Sequence, residues 1–132
     1  MSILIGRHIK AVLGADSTVR RELGERVYPV GAVRGVPKFP MLVYTNTGLS
    51  PEYTKDGNAS ETATVQLILL HPVYDLAITL MQRIRYLFEG KAAKYNEFEV
   101  DDCELTGYSE DYDPDLDKYV ISITLTFNTI DK

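Results

Sequence analysis

A single cysteine, no tryptophan and two histidines are all that the 132 residues hold of several side chains that staple folds or carry chemistry. Cys103 has no partner for a disulfide within the chain, and a reducing cytoplasm suits such usage. His8 and His71 have neither a cysteine nor spaced carboxylates beside them, so no metal-ligand set can be read from the sequence. Long apolar runs are missing as well. Leu67 to Leu70 and Met41 to Tyr44 fall far short of the ~18 residues that a membrane-crossing helix needs. The first residues lack the apolar stretch and small-residue cleavage site of a signal peptide, which gives the expectation of a soluble chain that is not secreted and meets no membrane. Walker loops, Gly-x-Gly-x-x-Gly, Gly-x-Ser-x-Gly and His-Glu-x-x-His are all absent. Without a visible acid, base, nucleophile or metal set, the sequence predicts no enzyme and no cofactor.

What is present suits a folded chain: 45% of the residues are hydrophobic and 25% charged. Domains commonly run to ~100–200 residues, so residues 1–132 read as one domain, able to bury a core unaided. The net charge of −5 is unevenly spread. Residues 1–94 carry 12 Lys/Arg against 8 Asp/Glu, whereas residues 95–132 carry 2 against 11. Unlike ends suit head-to-tail self-association better than binding of nucleic acid by the acidic part; acidic hairpins that only keep a chain soluble give the same pattern.

Ile5, Ile9, Val12 and Leu13 recur at helical spacing, which predicts an amphipathic helix from Ser2 to Leu13, ended by Gly14. Asp16 can cap a short second helix, Ser17 to Leu23, because its carboxylate can accept from free backbone N–H groups one turn on. A brief strand over residues 27–30 leads into a loop punctuated by Gly31, Gly35, Pro37 and Pro40. Next comes a β-hairpin with strands Met41 to Thr47 and Glu61 to His71 and a long tip of turn formers, Gly48 to Ser60. Pro72 fits the first turn of a helix, and the stripe Val73, Leu76, Ala77, Leu80, Met81, Ile84, Leu87 and Phe88 then steps by three and four. Gln82, Arg83, Arg85 and Glu89 form its outer face, and Gly90 closes it.

A second hairpin follows. Tyr119 to Phe127 alternates apolar with polar, whereas its partner keeps Phe98 and Val100 on one parity and Cys103 and Leu105 on the other. A β-bulge across Asp101-Asp102 restores the facing. The tip is Ser109 to Asp117. The predicted class is α+β: an antiparallel sheet of two hairpins packed on one face by a long helix, with N-terminal helices.

Asp111, Asp113, Asp115 and Asp117 offer hard oxygen atoms of the kind calcium takes, but Leu116 stands where an EF-hand loop turns on glycine, and Ser122 stands where it has its bidentate glutamate. A solvated hairpin tip accounts for the run, and no metal is expected. Nine tyrosines, many near element ends, favour a binding or assembly surface. The candidate interface residues are Tyr53, Lys55 and Asp56 on the first tip, Arg83 and Arg85 on the long helix, and Asp111, Asp113 and Asp115 on the second tip.

Three phrases carry a resemblance: the helix pair ending Asp16...Val19...Leu23-Gly24-Glu25-Arg26-Val27-Tyr28-Pro29, the strand Pro40-Met41-Leu42-Val43-Tyr44 after a proline-bearing loop, and the helix Ala77...Met81...Ile84-Arg85...Leu87. In these and in element order the chain resembles the tail completion, or tail terminator, proteins of long-tailed bacteriophages and prophages. The resemblance implies a small α+β subunit that assembles as a ring, usually a hexamer, on the end of the tail tube. Such a ring stops polymerisation and offers a surface to the head–tail connector. Implied partners are further copies of the chain, the major tail tube protein and the connector protein. DNA passes through without specific binding, and the location is the virion tail, assembled in the bacterial host cytoplasm. A ring needs a heterologous interface, which the uneven charge supplies, and an acidic hairpin near the lumen would repel DNA, so the Glu97 to Asp117 hairpin is expected near the lumen or against a neighbour's basic helix. Two other readings remain: a head-to-tail connector (neck) subunit, and a small effector-binding regulatory domain. The latter calls for a glycine-rich turn at the strand–helix junction, where Leu69-Leu70-His71-Pro72 stands.

Overall fold

In the computed structural model, which describes residues 2–33, 35–53 and 59–131, six strands form one sheet. They are β1 (Val27–Pro29), β2 (Met41–Tyr53), β3 (Ala59–His71), β4 (Ala93–Lys94), β5 (Phe98–Asp113) and β6 (Lys118–Asp131), in the spatial order β1-β2-β3-β6-β5-β4. β1 runs parallel to β2, and every other neighbouring pair is antiparallel. Three helices complete an α+β fold: α1 (Ile5–Ala15), α2 (Ser17–Leu23) and α3 (Tyr74–Phe88).

Alternation puts the core on one face. Ala63, Val65, Leu67 and Leu69 of β3 lie in register with Phe127, Leu125, Ile123 and Ile121 of β6, and all eight are buried. Side chains two apart on a strand share a face, so these eight build one continuous apolar surface that has to be covered. Ile5, Ile9 and Leu13 of α1, Val19 and Leu23 of α2, and Ala77, Leu80, Met81, Ile84 and Phe88 of α3 join the same core cluster. Each large side chain withdrawn from water in this way contributes about 1.5–3 kcal/mol. α3 touches both β3 and β6, and α1 touches α3.

Several boundaries differ from the sequence reading. The N-terminal helix is a 3-10 turn, Ser2–Leu4, followed by α1, which continues through Gly14 to Ala15. Extended backbone at Asp16 ends it, because that residue starts α2. The Asp16 carboxylate accepts the Val19 N–H at 3.1 Å, as its place before Ser17 predicts. Pro72 lies before the helix cap, not in the first turn: α3 starts at Tyr74 after Val73, whose N–H donates to His71 Nδ1 at 3.0 Å. Val73 and Leu76 are exposed, so the buried stripe begins at Ala77.

Both hairpins have shorter turns than predicted. Gly48 to Tyr53 continue β2 and pair with β3 as far as Ala59. The register shifts between Asn46 and Gly48, where Asn46 Oδ1 accepts the Gly48 N–H, and the extra residue is absorbed as a bulge, with pairing resumed beyond it. Pro51 is tolerated because β1 covers β2 only from Leu42 to Tyr44, so further along β2 is an edge strand. β5 likewise runs to Asp113, leaving only residues 114–117 as the turn, with Asp117 at φ 54°. The bulge expected across Asp101-Asp102 is present as a register shift between Val100 and Asp102. A second shift, between Leu105 and Gly107, sends Tyr108, Glu110 and Tyr112 to the helix-covered side, opposite Ile123, Ile121 and Tyr119.

Candidate assembly interface

A groove of about 650 Å³ opens between α3 and the second half of β5, lined by Ile78, Thr79, Met81, Gln82, Arg85, Leu105, Tyr108 and Ile123. Met81 and Ile123 are buried at its floor, Ile78 and Leu105 are half-buried, and Tyr108 is exposed at its rim. The two bulges in β5 are the local cause. Without the second one, Tyr108 and Glu110 would point to the other face of the sheet.

Beside the groove lies a cluster of tyrosines around one carboxylate. The Tyr74 hydroxyl donates to Glu110 Oε1 at 2.6 Å, and the Tyr108 hydroxyl donates to Glu110 Oε2. These donors hold the Glu110 carboxyl below the usual carboxylate range, Tyr108 making the larger contribution. Tyr119 packs edge-on against both Tyr74 and Tyr112, and the Tyr112 hydroxyl donates to Asp117. The outcome is an exposed patch of tyrosines, a residue enriched at protein interfaces, with negative charge beside it. Nothing in the sequence groups these tyrosines. Their common facing depended on the second bulge, which the sequence does not mark as clearly as the phase change at Asp101.

The other candidate residues are scattered. Lys55 and Asp56 lie outside the described residues, as does the side chain of Tyr53. Arg83 is tied to Asp16, with Nη2 to Oδ1 at 2.7 Å and Nε to Oδ2 at 3.4 Å, so α3 is fastened to the start of α2. Arg83 holds the Asp16 carboxyl below its ordinary range. Arg85 forms an ion pair with Glu89 one turn along, at 3.2 Å, on the groove wall. Asp111 accepts the Tyr112 N–H, while Asp113 accepts the N–H groups of Asp115 and Leu116 and so shapes the turn. Among the described residues, no group of three or more His, Cys, Asp or Glu side chains could hold a metal ion.

The histidines and the cysteine serve packing. His8 is buried, shares a 2.6 Å hydrogen bond with the Tyr95 hydroxyl, and meets Phe88 and Phe127 edge-on. Burial lowers its pKa to about 4. Cys103 is buried in the core, which pushes its thiol up to about 12. No helix among the described residues is long and apolar enough to cross a membrane.

A family model described as tail completion protein gp17 matches residues 7–130. The chain belongs to that tail completion family. This tail completion protein also shares its fold with a chain in a structure titled as the virion of a native gene transfer agent particle. The two are 13% identical with a TM-score of 0.74, over 92% of this chain and 91% of that one. No curated protein sequence matches. Family membership makes the chain a bacteriophage tail structural protein, a component of the virion and not a member of an enzyme class.

Proposed function

We propose that this tail completion protein caps the tail tube, ending its polymerisation and forming the tail side of the head–tail joint. The match of the family model to residues 7–130 carries the reading. On this reading residues 1–132 are one tail-terminator-like domain, with α3 covering one face of the two hairpins, and copies of it close into a ring, a hexamer on the tail. One side of the ring meets the major tail tube protein and the other the connector protein, and assembly takes place in the host cytoplasm. DNA passes through without specific binding. Asp111, Asp113 and Asp115 at the β5–β6 turn lie near the lumen, where their charge keeps phosphates from adhering. Tyr53, Lys55 and Asp56 reach a neighbouring subunit or the tube, and Arg83 and Arg85 present the face of α3 to an adjacent chain.

Electron microscopy of particles from the parent phage or prophage, with the gene deleted and then restored, tests the cap. Overlong or headless tails that are corrected on restoration support it. Normal virions overturn it, and filled heads beside detached tails of normal length assign the chain to the connector instead.

A further inference from the structure

The loop between β1 and β2 presents the most exposed large apolar side chain among the described residues, Val36, at 88%. Its base is fixed. The Val30 N–H donates to the Tyr44 carbonyl at 3.0 Å, Arg26 Nε donates to the Pro40 carbonyl at 2.8 Å, and the Leu42 N–H donates to the Arg26 carbonyl at 3.0 Å. Near its end, the Phe39 ring lies 4.8 Å from Lys118 Nζ. Lys118 has the parity of Val120 and Ser122 on β6, opposite to the core-facing Tyr119, Ile121 and Ile123. Lys118 Nζ also donates to the Leu116 and Asp117 carbonyls at 3.1 and 3.3 Å, so the end of the loop meets the β5–β6 turn. Residues 30–40 include two cationic side chains and no carboxylate.

The groove between α3 and β5 is on the helix-covered face and near the other end of the strand order. Its floor is apolar, and Glu110 stands next to its rim residue Tyr108. An aliphatic knob with a cation two residues on matches an aliphatic floor with a carboxylate at its edge. Within one chain Val36 stands in water and does not line the groove.

The geometry points to a head-to-tail contact in which Val36 of one copy enters the α3–β5 groove of the next, with Lys38 facing Glu110. This deepens the proposed ring and rests on it. A knob and a hole at different places on the same chain form a heterologous interface, which closes into a ring when the rotation between copies permits. It also accounts for an anchored loop that leaves a valine in water.

Cross-linking in purified tails tests the contact. The variant Val36→Cys/Gln82→Cys places one thiol on the loop and one on the groove wall, with native Cys103 buried and out of reach. Mild oxidation is expected to give a ladder of covalently joined copies, while each single variant stays monomeric on a denaturing gel. Independently, Lys38→Glu and Glu110→Lys are each expected to lower incorporation into tails about tenfold, and their combination to restore it. Chain present at the tail end by immunogold labelling, without the 36–82 bond and without restoration by the double charge exchange, overturns the contact and leaves the cap standing. Absence of the chain from purified tails overturns both.

Discussion

Asp16 joins two helices through one carboxylate, since Oδ2 accepts the Val19 N–H and both oxygens face Arg83. Its side chain is 8% exposed, against 41% for Arg83. Asp16 serves both the cap and the ion pair, so its removal costs more than that of Arg83, which leaves the cap in place. Asp16→Ala is expected to destabilise the fold by about 2 kcal/mol, the loss of a cap together with a partly screened ion pair, and Arg83→Ala by less, since the cap remains. Urea denaturation of both variants and their combination measures this, and an Asp16→Ala curve that overlays the wild type would refute it.

His8 makes a prediction about pH. Its pKa falls from 6.5 to about 4 on folding, so between those values the unfolded chain binds the extra proton. Stability from this group is complete above pH 6.5 and is lost as pH falls towards 4, by up to about 3 kcal/mol. His71, also lowered by burial, acts in the same direction. Melting temperature should drop between pH 7 and 4.5, and His8→Phe should flatten part of that slope. An unchanged slope in the variant would assign the effect to other groups.

At the scale of elements, bulges decide what each face displays. A Cβ on Gly107, at the second shift in β5, would sit 3.2 Å from Thr124 Cβ and Oγ1, whereas one on Gly48 meets nothing within 4 Å. Gly107→Ala is expected to cost about 1 kcal/mol, with Gly48→Ala close to neutral, a difference that thermal melts resolve. The first bulge was legible because Phe98-Val100 and Cys103-Leu105 change parity around two aspartates. The second was not, since Tyr108 and Tyr112 suit either face by size and Glu110 looks like any exposed acid. The strands outrun their predicted ends for a related reason. Gly48, Ser50 and Pro51 read as turn formers, yet an edge strand accommodates them. The helix stripe was read correctly from Ala77 onward, while Val73 and Leu76 continued the spacing beyond the part of α3 that meets the sheet. The pairing of Arg83 with Asp16 joins residues 67 positions apart, and spacing rules do not reach that far.

For the whole molecule, the acidic turn is separable from the core. Asp111 and Asp113 accept backbone N–H groups at the end of β5 and Asp115 donates its own N–H to Asp113 in the turn, so reversing all three charges to lysine should leave the melting temperature within a few degrees of the wild type. Under the proposed cap, the same variant should cut infectious yield by slowing DNA transit. Full infectivity with normal assembly would remove these residues from the lumen.

The strand order also governs how the molecule can be made. β6 lies between β3 and β5, yet it is the last of the six strands to leave the ribosome. Until then the β2–β3 hairpin has one edge open, the apolar faces of α1 and α3 have half a sheet to cover, and β5 has no long neighbour. A chain interrupted before Lys118 thus keeps an unsatisfied sheet edge that can recruit a strand from another molecule. Completion of the sheet waits for Lys118–Asp131, so a copy interrupted before them lacks the sheet on which a place in the tail depends.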